Sequence, residues 1–195
     1  MRWLRLTLWV QILVLSLFLN ASSAQSSVEP IKAKQRSLTY QIQPNGSRIL
    51  KWEQTGAFYR SSSGATMNTM GDRSTLFDEQ GNTWNIIHSK KIANFVEHPA
   101  ESSYEIIKKT PPESILGYEM VNGLQCAVGR VLFNGKLAGK SYSYLPYGLE
   151  VKFEVKVPGT SQLEVREMYD MEVAEPDPAL LRIPEGYAIH NQLRQ

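Results

Sequence analysis

The clearest pattern in the chain is a strict alternation near its end. Leu149, Val151, Phe153, Val155 and Val157 interleave with Glu150, Lys152, Glu154 and Lys156, the period of two that a strand shows when one face is buried and the other wet. Pro158-Gly159-Thr160 supplies a turn, and Leu163, Val165, Tyr169, Met171 and Val173 resume the rhythm. The two runs predict a long antiparallel hairpin whose apolar rows face one oily interior.

Shorter β-forming runs precede it: Leu38 to Ile42, Ile49 to Trp52, Ala57 to Arg60, Ala65 to Met70, Ser74 to Phe77, Thr83 to His88 and Ile92 to Val96. Turn chemistry separates them, with Pro44-Asn45-Gly46, a break at Gly56, Ser61 to Gly64, Gly71-Asp72 and Asp78 to Asn82. After Ile115, strands over Ala127 to Phe133 and Ala138 to Tyr144 flank Asn134-Gly135, the strongest hairpin signal in the chain. Spacing of about eight to twelve residues predicts a meander that closes partly on itself. Pro99 to Lys109 carries acids first and lysines last and reads as a short helix or lid-like loop, with Ile106-Ile107 as an alternative strand extension. Asp177 is placed to cap a single helical turn opened by Pro178. The expected fold is mainly β (α+β): one curved antiparallel sheet forming a half-open barrel with a short helix or lid.

The N-terminus changes the picture. Arg2 and Arg5 precede an apolar run from Leu6 to Leu19, and Ser22-Ser23-Ala24 offers a small-residue cleavage site, the layout of a signal peptide over residues 1–24. Residues 25–34 are expected to be a flexible linker and 35–190 the β domain. With 21 basic and 19 acidic residues, loss of Arg2 and Arg5 leaves 19 of each. That balance argues against nucleic acid as a partner. Cys126 is the only cysteine, so there is no lipid-acceptor Cys at the cleavage site and no disulfide within the chain. The expectation is a monomer, periplasmic or secreted, without a stable membrane anchor after cleavage.

The residues Ile115-Leu116-Gly117-Tyr118, Gly123-Leu124-Gln125-Cys126 and Pro176-Asp177-Pro178-Ala179-Leu180-Leu181-Arg182-Ile183-Pro184-Glu185-Gly186-Tyr187 resemble uncharacterised bacterial periplasmic proteins, DUF4412-like, related to the lipoprotein carriers LolA and LolB. The resemblance implies a half-barrel whose apolar concave face takes a hydrophobic small molecule or a lipidated protein. A protein-interaction or envelope-stress sensing module with a filled core and a binding edge strand is the alternative.

Catalytic chemistry has few candidates. His88, His98 and His190 form no metal-ligand motif, Cys126 reads as a small buried hydrophobe, and His88 and His98 read as solvated turn residues. No enzyme activity, cofactor or metal is expected. Candidate ligand contacts are Trp52, Phe58, Phe153, Tyr169 and Met171, aromatic or soft apolar side chains on strands. Glu167 joins them because it breaks the apolar row between Val165 and Tyr169. A bulge over Arg166 to Met168 would turn it outward; otherwise it stands in a solvated cavity, orients a ligand head group, or pairs with Arg130.

Overall fold

The computed structural model describes residues 28–96 and 107–190. The strands are β1 (Ile31–Ile42), β2 (Arg48–Arg60), β3 (Thr66–Met70), β4 (Arg73–Phe77), β5 (Thr83–Ile87), β6 (Ile92–Val96), β7 (Ile115–Val121), β8 (Leu124–Phe133), β9 (Lys136–Tyr144), β10 (Leu149–Lys156), β11 (Gln162–Glu172) and β12 (Ala188–His190). They form one open, curved sheet in the order β12-β6-β5-β4-β3-β2-β1-β11-β10-β9-β8-β7. Every pairing between neighbours is antiparallel except β12 on β6, which is parallel. Helical structure among the described residues is confined to a turn at 107–108 and 3-10 turns at Pro112–Ser114, Leu145–Tyr147 and Pro178–Leu181. Most of the expected helix or lid at Pro99 to Lys109, like the leader and His98, lies outside the described residues.

Two expectations shift at the N-terminal end. The segment read as linker is already strand from Ile31, because Ile31 and Ala33 alternate with Lys32 and Lys34 and are buried. Gly56 does not break β2. A Cβ there would meet the carbonyl oxygen of Thr69 at 1.9 Å, so glycine serves the close approach of β3. Beside it the buried Gln35 amide donates to Asn68 Oδ1 at 2.5 Å, Thr69 O at 2.8 Å and Ala57 O at 2.9 Å, tying three strands together.

The long hairpin forms, with a register that overturns the expected shared interior along the β10–β11 ladder. Phe153 stands opposite Arg166 and Val155 opposite Glu164, while Leu163 faces Lys156 and Val165 faces Glu154. Directly opposed residues share a face, so along this ladder Phe153 and Val155 lie on one face of the sheet and Leu163 and Val165 on the other, while past the irregularity at Asp170 Met171 packs with Leu149 and Val151. The loop decides this: Val157 closes onto Gln162 across Pro158 to Ser161, and four intervening residues pair odd positions with even ones.

Apolar side chains therefore gather in several clusters. Leu38, Leu163 and Val165 are buried with Tyr40 and Ile42 against them. The other side of β1 contributes Ile31 and Ala33 to a cluster with Phe58 and Leu149, flanked by Tyr147, Met168 and Met171. Met67, Leu76, Ile86 and Ala93 pack beneath Leu181, Ile183 and Tyr187 of the C-terminal segment. That segment starts as expected, with Asp177 Oδ1 accepting the Ala179 N–H at 2.8 Å, and ends by adding β12 to the outer side of β6.

Candidate functional site: an open sheet edge

β7 is one of the two outer strands of the sheet. It begins after a 3-10 turn that Ser114 closes by donating its N–H and its hydroxyl to Pro111 O, at 2.9 and 2.6 Å. It ends in a tight turn onto β8 in which Asn122 and Gly123 both adopt positive φ, 49° and 82°, the two-residue hairpin geometry that Asn-Gly favours. Alternation along β7 sorts its side chains. Val121 is buried with Cys126, Val128, Tyr142 and Val151, against which Leu124, Tyr144 and Met171 pack. Tyr118 and Met120 on the other parity are 60% and 67% exposed, and Leu116, the extra residue where the register shifts between Ile115 and Gly117, is 46% exposed.

The edge is held in place. Asn122 Nδ2 donates to Met168 O at 2.6 Å, reaching the half of β11 that extends past the end of its ladder with β10 at Lys152 and Glu167. On the surface Lys140 pairs with Glu119 at 3.1 Å, a hydrogen bond that raises the lysine pKa. Cys126 beneath the strand is fully buried, and burial pushes its thiol pKa up, which disfavours the thiolate a nucleophile requires.

The residues singled out from sequence do not form one site. Phe58 and Met171 share the cluster around Ile31 and Leu149, packed by the protein's own side chains. Trp52 is 48% exposed on β2, and Phe153 stands half-buried on β10 with β1 and β11 between them. Glu167 and Tyr169 lie together on the Leu38 side of the sheet. Glu167 pairs with Arg36, its direct cross-strand neighbour, and the Arg36 guanidinium sits 5.5 Å from the Tyr169 ring centroid, within cation–π reach. The expected partner Arg130 is therefore replaced by Arg36. The bulge expected at Arg166 to Met168 lies further on, at Asp170 and Met171 opposite the Lys32/Lys34 step, where Asp170 has φ of 49°.

His88 lies in the turn after β5, as expected, where its carbonyl accepts the Lys91 N–H at 3.1 Å, but it is not solvated. It is half-buried, with Nε2 2.7 Å from Ser74 Oγ and Nδ1 3.0 Å from Tyr187 Oη. Ser74 in turn lies 2.9 Å from Thr69 Oγ1, so the chain of polar groups fastens the C-terminal segment to β3 and β4. The exposed row of β7 is what sequence reasoning missed. Its alternation was visible, but nothing in the order of residues says that β7 has no outer neighbour.

No protein-family model matches the chain, and no curated protein does. Solved structures that resemble it include an uncharacterized conserved protein from Thermus thermophilus, with a TM-score of 0.53 at 12% identity, covering 91% of this chain and 99% of that one. MucB has a TM-score of 0.43 at 14% identity over 90% of this chain and 64% of its own. A LolA superfamily protein from Nitrosomonas europaea has a TM-score of 0.35 at 7% identity over 79% and 90%. The Thermus protein shares the fold over nearly the whole of both chains.

Proposed function

We propose that the chain is an exported, non-enzymatic binding protein of LolA-like type whose ligand is an extended apolar segment of another envelope protein. The observation that carries this reading is β7: an outermost strand presenting Leu116, Tyr118 and Met120 to solvent over a buried cluster. An added strand would pair its backbone with β7, while alternate side chains of the partner cover that row, the mode known as β-augmentation. Main-chain pairing contributes affinity and the three side chains contribute selectivity for apolar partners.

A hydrophobic small molecule on the Phe58 side is the second reading, favoured by the half-buried Met168 and Met171 at the margin of that cluster. Methionine adapts its shape to irregular ligands. The two readings separate by photo-crosslinking in secreting cells. A photoreactive residue replacing Tyr118 should yield a protein adduct, whereas one replacing Met171 should not. Adducts confined to position 171 would reject the edge as the site.

A further inference from the structure

The geometry points to a second, separate contact surface: the tip of the β8–β9 hairpin docks the protein on an anionic lipid bilayer. The turn residues Asn134 and Gly135 have φ of 49° and 73°, the rigid primed-turn conformation that holds two strands to their ends. Around this turn Leu132, Phe133 and Leu137 are 58%, 52% and 67% exposed. Leu132 and Leu137 oppose each other on one face of the hairpin and Phe133 stands opposite Lys136 on the other, so the apex is apolar on both faces, an exposed apolar surface of the kind that marks an interaction site.

Beside the tip lies a groove of roughly 600 Å³, between this hairpin and the β10–β11 turn. Phe133, Leu137 and Pro158 give it apolar walls, and Lys136 and Lys156 are the only ionisable groups lining it among the described residues. Apolar side chains at an apex with cations set around them match the layered chemistry of a bilayer interface, acyl chains beneath anionic phosphates. Lysine stems lie along apolar surface while their ammonium groups reach outward, so insertion of the apex leaves both charges at phosphate level. An acidic peptide would find the charges but would leave Leu132 and Leu137 in water, which is why the lipid surface is the better match.

This inference goes beyond the binding of a protein segment at β7 and is tested apart from it. Full-length mature protein is sedimented with vesicles of phosphatidylcholine alone and with vesicles containing phosphatidylglycerol. Binding to the anionic vesicles that weakens with added salt is expected, with Phe133→Ser plus Leu137→Ser lowering the partition coefficient at least about tenfold. Lys136→Glu plus Lys156→Glu should abolish the preference for anionic lipid, and Val173→Ser, an exposed position away from both surfaces, should leave vesicle binding unchanged. Leu137→Trp adds an independent readout, since its fluorescence should be quenched by brominated acyl chains. The proposal is overturned if the wild type stays in the supernatant, if the serine variant sediments equally while retaining its near-ultraviolet circular dichroism, or if the same variant instead dissociates a dimer.

Discussion

Asp78 organises the β4–β5 loop with a single carboxylate. It accepts the N–H groups of Gln80 and Asn82 at 3.0 and 2.8 Å, the Asn82 side-chain amide at 2.9 Å and the Trp84 indole at 3.1 Å. Partial burial alone would raise its pKa, but these donors hold it below the ordinary 3.8. A depressed acid stabilises the fold above its unfolded pKa, and that contribution is lost as pH falls through the lower folded value. Asp78→Ala should therefore cost about 2–3 kcal/mol in urea unfolding at pH 7, with the gap to wild type narrowing below pH 3.8; an unchanged gap there would refute the linkage. Cys126, fully buried with its thiol pKa raised, should react with Ellman's reagent only after denaturation. Its burial was legible, since a lone cysteine in an apolar run packs as a hydrophobe. Arg36 was not legible as the partner of Glu167, because 131 residues separate them and only strand pairing brings them together.

At the scale of elements, period-two runs and turn residues located most of the hairpins, and register is where the reading failed. The Pro158 to Ser161 loop has an even number of residues and so sets Phe153 against Arg166. Two cysteines at these positions should oxidise to a disulfide, whereas Phe153→Cys with Val165→Cys should not, because the latter pair points to opposite faces. Mass measurement under non-reducing conditions distinguishes the two registers. Gly139 makes a similar point about close approach. A Cβ there would lie 1.8 Å from Glu154 O, backbone that cannot step aside cheaply, so Gly139→Ala should lower the unfolding free energy by about 2 kcal/mol or more. An unchanged urea midpoint would show that β9 and β10 are not so closely apposed.

Across the whole molecule, strand order carries the functional information and is the least local property of the fold. β1 lies between β2 and β11, a placement that no neighbouring residues announce. The C-terminal segment returns across Met67, Leu76 and Ile86 to extend the sheet at β6, which leaves β7 outermost on the other side. Tyr118→Lys and Met120→Lys should consequently leave the melting temperature within about 2 °C of wild type, because their side chains are already in water, yet remove partner binding. A large loss of stability would mean that the row is structural.

The decisive measurement is amide hydrogen exchange over residues 115–121, with and without the partner captured at position 118. Pairing of an added strand should slow exchange of the outward N–H groups of β7 while leaving Ile31 to Gln35 unchanged. Slowed exchange around Ile31 and Leu149 with β7 untouched would contradict edge binding and move the site to the Phe58 side of the sheet.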